Sequence, residues 1–184
     1  MRARLCSQNA HKLEELRAAL PGWELALLDA ADYPPEAGVT YEENARGKAL
    51  HGRLVGPAGE WMLGEDSGIE CEALEGAPGL LSARWAPAAT QAAALAERLA
   101  GEPNRRARMV AALVAIAPDG RELSGIGILN GTIAAEPRGE GGFGYDPVLI
   151  PVGEERTVAE LGDDWKRANS HRARAAAAVL AQLS

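Results

Sequence analysis

Apolar positions recur along the chain in two rhythms, short runs with the period of a strand and longer stretches with the period of a helix. Arg2 to Ser7 reads as a first strand, and Leu13, Leu16 and Leu20 then form the stripe of a helix that Pro21-Gly22 ends. Trp23 to Leu28 predicts a second strand and the Pro34-Pro35 region a loop. A second helix is predicted from Thr40 to about Val55, opened by Thr40 and Glu43 at the spacing of a capping box. Trp61-Met62-Leu63 and Ile69 to Ala73 predict extended segments, the second alternating like a half-buried strand. Thr90 to Leu99 predicts an Ala-rich helix with Leu95 and Leu99 inward, and Met109 to Ala117 is a continuous apolar run, as expected of a buried strand. Pro118-Asp119-Gly120 turns the chain before two shorter strands, Leu123 to Leu129 and Gly131 to Ala135. A last helix carries Val179, Leu180 and Leu183.

Between two of these segments lies Gly64-Glu65-Asp66-Ser67-Gly68. Adjacent carboxylates there suit a Mg²⁺ ligand and a base that activates water, because hard cations take oxygen ligands. Asp, Ser and Gly are also the usual turn residues, and on this pentapeptide alone a hairpin turn is the simpler reading.

Composition narrows the field. A chain of 184 residues suffices for one domain, or one domain with two lobes, and at 47% hydrophobic and 24% charged it is globular rather than disordered. A formal net charge of -7 and a pI near 5.1 argue against a general nucleic-acid or anionic-membrane surface, so no partner of either kind is expected. No secretory leader and no membrane-length apolar run are visible, and Cys6 and Cys71 form no C-x-x-C pair. Free buried thiols in a reducing cytoplasm are expected.

The chain holds sixteen arginines but only three lysines, Lys12, Lys48 and Lys166. A compact ammonium acts as a point charge on phosphate where a planar guanidinium does not substitute; chance placement of three residues is the alternative. Ser7, Gln8, Asn9, Ala10, His11 and Lys12 lead from a strand into a helix start, where free N–H groups attract anions; Asn9 is equally a simple N-cap, and both readings hold together. Asn44 and Lys48, four apart, share a helix face, but Gly47-Lys48 is no phosphate-binding P-loop, since Glu42 and Ala49 stand at two of its required positions. Gly139 to Gly144 matches a dinucleotide fingerprint in spelling alone, because Tyr145-Asp146-Pro147 follows where a helix must open. What remains is a glycine loop carrying the only phenylalanine, Phe143, either a stacking plate for a base or a core plug. Lys166, Ser170, His171 and Arg172 form a dense donor cluster at a helix start, or a solvated end capped by Ser170.

Taken in order, these stretches resemble the inosine triphosphate pyrophosphatase (Ham1-like) family. Ser7-Gln8-Asn9 with Lys12 resembles its T-G-N-x-x-K, Glu43-Asn44-Ala45 with Lys48-Ala49 its E-N-A-x-x-K-A, and Glu65-Asp66-Ser67-Gly68 its D-D-S-G. Gly76 to Gly79 with Ser82-Ala83-Arg84, Phe143-Gly144-Tyr145-Asp146-Pro147, and Lys166 with Ser170-His171-Arg172 complete six ordered blocks. Ser7-Gln8 departs from the usual Thr-Gly, and Glu65 replaces the first Asp.

The resemblance implies a single domain over 1–184, an α/β fold with an elongated mixed β-sheet in two lobes, flanking helices and a central nucleotide cleft, usually as a homodimer. It implies hydrolysis of dITP, ITP and XTP to the monophosphate and pyrophosphate, with Mg²⁺ held by Asp66 and Glu43. Asp66, with Glu65, would activate the water. Ser7 to Lys12, Lys48, Ser67, Phe143, Gly144, Tyr145, Asp146, Lys166, His171 and Arg172 would bind the substrate. Gln8 and Glu65 leave open a catalytically weak nucleotide sensor, and a pyrophosphatase for other modified triphosphates is the second alternative.

Overall fold

The computed structural model describes residues 1–183. Its elements, in chain order, are β1 (Arg2–Leu5), α1 (Ala10–Ala19), β2 (Glu24–Leu27), α2 (Tyr41–Val55), β3 (Trp61–Cys71), α3 (Gln91–Arg98), β4 (Arg106–Ile116), β5 (Glu122–Ile133), β6 (Leu149–Pro151), α4 (Val158–Asn169) and α5 (His171–Leu180). The strands form a mixed sheet in the order β2-β1-β3-β4-β5-β6, with β1 parallel to both β2 and β3 and with β5 antiparallel to β6. This is an α/β fold, as the resemblance implied. The chain divides into two compact units, one made of Met1–Asp66, Ala111–Gly127 and the segment from Ser170 onward, the other of Ser67–Val110 and Ile128–Asn169.

In the first unit the apolar run of β4 is buried on both faces. Ala111, Leu113 and Ala115 join Leu13 and Leu16 of α1 and Ala175, Ala176 and Val179 of α5, while Ala112, Val114 and Ile116 face Ala45 and Ala49 of α2. Helix layers on both sides explain why this strand reads as continuously apolar rather than alternating. Each Leu or Val so buried contributes about 1.5–3 kcal/mol. The same core ends in an edge-to-face pair, Trp23 on Trp61 at 5.2 Å, with the Arg121 guanidinium 5.5 Å above the Trp61 ring.

The second unit has its own core, where Leu95 and Leu99 of α3 meet Ile69, Met109, Leu129 and Ile133, with Tyr145, Val148 and Leu149. Arg105 fastens it, donating from Nε to Ile133 O at 2.7 Å, from Nη2 to Ala134 O at 2.7 Å and from Nη1 to Leu99 O.

Two local readings are corrected. Gly64 to Gly68 is no turn, since β3 runs unbroken through all five residues. The glycine serves close packing instead: a Cβ on Gly64 would lie 1.9 Å from Ala45 O of α2. Leu123 to Leu129 and Gly131 to Ile133 belong to one strand, β5, which ends before Ala134 and Ala135, because Asn130-Gly131 continues the extended backbone. Near the end, Val158–Asn169 is helical with a break at Gly162, and Ser170 then caps α5. Cys6 and Cys71 are free and buried, and among the described residues no helix is long and apolar enough to cross a membrane.

Candidate active site

Because β3 is continuous, its side chains alternate between faces, and the two adjacent acids part company. Asp66 lies on the same side as Gly64, towards α2, and Glu65 lies with Leu63, towards α1 and α5. A turn would have allowed them to act as a pair; the strand gives each a separate set of partners.

Asp66 is 5% exposed and held by one helix face. Asn44 donates from Nδ2 to Asp66 Oδ2 at 3.0 Å, and Lys48 donates from Nζ to Oδ1 at 2.9 Å. The four-residue spacing of Asn44 and Lys48 on α2 is what brings both to one carboxylate. Lys48 also donates to Glu36 Oε1 at 2.6 Å and to the Glu65 carbonyl at 3.2 Å. Burial raises the Asp66 pKa above the ordinary aspartate range, and the pull of Lys48 and Asn44 only partly opposes it. For Lys48, burial works against the charge, yet Asp66 and Glu36 together hold its pKa above the usual lysine value.

Glu65, with no exposed side-chain surface, meets Lys12 Nζ through Oε2 at 2.6 Å and Arg172 Nε through Oε1 at 2.8 Å. Arg172 also donates from Nη1 to Glu15 Oε2 at 3.1 Å. Lys12 is delivered by the Asn9 cap, whose Oδ1 accepts from Lys12 N at 3.2 Å while Ser7 Oγ accepts from Asn9 N at 3.1 Å. Gln8, Ala10 and His11 are exposed beside them. Arg172 and His171 are both buried at the start of α5, where Ser170 Oγ accepts from Ala173 N at 3.1 Å. The cap readings of Asn9 and Ser170 and the donor-cluster reading therefore coexist.

Glu43 is exposed on the first turn of α2. Its backbone N–H donates to Thr40 Oγ1 at 3.1 Å, and its Oε2 accepts from Val39 N at 2.8 Å. Among the described residues no group of three or more His, Cys, Asp or Glu side chains is gathered.

In the second unit a different carboxylate is the organiser. Asp146 Oδ2 accepts from Lys166 Nζ at 2.7 Å and from Phe143 N at 2.9 Å, and the Lys166 ammonium lies 5.2 Å from the centre of the Phe143 ring. Gly142 enters this loop at φ +72°, and a Cβ there would sit 2.1 Å from Asp146 Oδ2. Tyr145 is buried, its hydroxyl donating to Ser82 O at 2.8 Å, with its pKa pushed well up by burial. Gly144 belongs to the same loop, and Ser67 follows Asp66 in β3, half-buried.

Three participants escaped the sequence-level site: Glu36, Glu15 and the direct role of Asn44 on Asp66. Glu15 stands three residues after Lys12 on α1, a spacing that offered a signal. Glu36 lies in a loop and offered none.

A mixed α/β sheet presenting buried carboxylates in contact with lysines from the flanking helices defines a class of protein suited to anionic, phosphate-bearing ligands. A family model described as the Ham1 family matches residues 3–182, and the chain belongs to that family. It is 44% identical over 178 residues to the dITP/XTP pyrophosphatase of Deinococcus deserti, covering 94% of this chain and 85% of that protein. It is 42% identical over 192 residues to the dITP/XTP pyrophosphatase of Mycobacterium bovis, covering 97% and 93%. Among solved structures it resembles the Ham1 protein of Staphylococcus aureus, with a TM-score of 0.85 and 29% identity over 100% of this chain and 98% of that one. A HAM1 protein from Coxiella burnetii gives 0.84 and 32% with the same coverage.

Proposed function

We propose that the chain hydrolyses non-canonical purine nucleoside triphosphates (dITP, ITP and XTP) to the monophosphate and pyrophosphate, clearing deaminated purines from the nucleotide pool. The family membership and the names of its relatives support the reaction class. The observation that carries the mechanism is Asp66, buried, raised in pKa and fixed by Lys48 and Asn44. A carboxylate oxygen has two acceptor positions, so each Asp66 oxygen retains capacity for a water beyond its present donor. A raised pKa brings Asp66 closer to neutrality, where a base works best. It takes the proton of the water that attacks the α-phosphorus, and pyrophosphate departs.

Lys12 and Lys48 stabilise the charge of the polyphosphate. Lys166 steadies Phe143, whose ring stacks on the base, through Asp146. Inosine and xanthine bases carry an oxygen at C6 and a protonated N1, which suit donors at His171 and Arg172. Adenine would set its amino group against those donors.

The cation we assign is Mg²⁺, with Asp66 and Glu43 as its ligands. The donor set is compatible: it is all oxygen, and the Lys48 ammonium already bridges the Asp66 and Glu36 carboxylates, so the locality calls for positive charge. When bound, the metal neutralises phosphate charge as pyrophosphate leaves. The resemblance further supports a cytoplasmic homodimer.

Hydrolysis in ¹⁸O-labelled water tests the bond cleaved. Label in the monophosphate is expected; label in the pyrophosphate, or release of inorganic phosphate, contradicts attack at the α-phosphorus.

A further inference from the structure

Glu65 is the most enclosed acid of the molecule, and its two oxygens are divided between two cations from two different helices. Oε2 meets Lys12 of α1 at 2.6 Å, and Oε1 meets Arg172 of α5 at 2.8 Å. Glu15, also from α1, takes the Nη1 donor of the same guanidinium at 3.1 Å, so two acids and two bases alternate in one neutral chain: Lys12, Glu65, Arg172, Glu15. Side-chain exposure is 0% at Glu65 and 6% at Arg172 but 17% at Lys12 and 15% at Glu15, so both ends of the chain open to solvent, one of them through an ammonium. An ammonium carries three donors, and Glu65 accounts for one direction, leaving the remainder of Lys12 to a ligand. Glu65 exposes no side-chain surface and each of its oxygens faces a cation, so a water would have to displace a cation to reach it, whereas the Asp66 side chain keeps 7% exposure.

We propose that Glu65 is a positioning residue, whose carboxylate fixes Lys12 for the triphosphate and Arg172 for the base, and does not touch the attacking water. This rests on the pyrophosphohydrolase reading and divides the labour of the two adjacent acids. Asp66 works on the α2 side of β3, and Glu65 braces the cations on the other. The length of Glu matters, since one carboxylate spans from β3 to cations on two separate helices. Asp at this position keeps the charge but loses a methylene of reach.

The test is a double-mutant cycle in dITP hydrolysis with Mg²⁺, using Glu65→Gln, Lys12→Ala and the pair, with Glu65→Asp beside them. Glu65→Gln is expected to raise KM roughly tenfold or more with a smaller loss in kcat, as removal of an oriented binding cation does. The pair is expected to be no worse than Lys12→Ala within about threefold, because residues acting as one unit are not additive. Glu65→Asp should recover part of the KM lost in Glu65→Gln. A fall of about a thousandfold in kcat at unchanged KM, the scale of a lost catalytic base, overturns the proposal. So do single losses that simply multiply. If Glu65→Gln does not fold, Glu15→Gln, at the outer end of the chain, should raise KM by a smaller factor; an unchanged KM contradicts the clamp. If the wild type cleaves no triphosphate, the reaction reading fails by itself. The same cycle is then read by calorimetric binding of inorganic tripolyphosphate, where non-additive losses support the clamp, and additive losses or no binding overturn it.

Discussion

Burial and positive charge pull the Asp66 carboxyl in opposite directions, and burial prevails, lifting its pKa while Lys48 and Asn44 hold it in place. Asp66→Asn keeps the shape but removes the base and turns one of the two accepting oxygens into a donor. Turnover of dITP should fall by about a hundredfold to ten-thousandfold, with nucleotide affinity measured by calorimetry little changed. Near-normal turnover would return Asp66 to a structural role. The two thiols report on burial independently. Desolvation pushes both Cys6 and Cys71 up from 9.0 to about 11. A thiol whose pKa is raised by folding adds stability that is complete below pH 9 and is lost as pH rises from there through about 11. Native protein at pH 8 should therefore resist thiol-specific reagents at both positions, and urea unfolding should expose both; rapid labelling of the folded chain would contradict it.

At the scale of elements, β3 and its contact with α2 decide the geometry of the acids. Gly64→Ala would drive a methyl into the Ala45 carbonyl at 1.9 Å, and separating that strand from α2 should cost about 1–3 kcal/mol or more in urea unfolding. It should also displace Asn44 and Lys48 from Asp66. In the glycine loop, Gly142→Ala meets both a positive φ and the Asp146 carboxylate, so it should loosen Phe143 and raise KM for dITP while leaving the rest of the core intact. A KM equal to wild type would detach this loop from the substrate.

Much of this was legible beforehand, because helix stripes such as Leu13 and Leu16 and the apolar run of β4 are direct consequences of burial. The error at Gly64 to Gly68 has a physical cause. Glycine marks a turn and a close backbone approach with the same letter, and only the partner helix distinguishes them. The continuity of β3 then sends Glu65 and Asp66 to opposite faces of one strand. Pairings across long separations, such as Arg172 with Glu65, leave no local pattern at all.

For the whole molecule, an acidic chain of net charge -7 must bind a polyanion with locally placed cations. The fold brings Lys12 and Lys48 to buried carboxylates in the first unit and Lys166 to Asp146 in the second, so every lysine of the chain lies in one of the clusters described. Each ammonium is held against an acid that a phosphate could displace or complement. The most direct test is pyrophosphate release from dITP, XTP, dGTP and dATP, each with Mg²⁺ and with EDTA. Fast release from dITP and XTP, slow release from dGTP and dATP, and none in EDTA is the predicted result. Equal release from all four would contradict the base specificity, and no release from any, with nucleotide still bound, would contradict the enzyme itself.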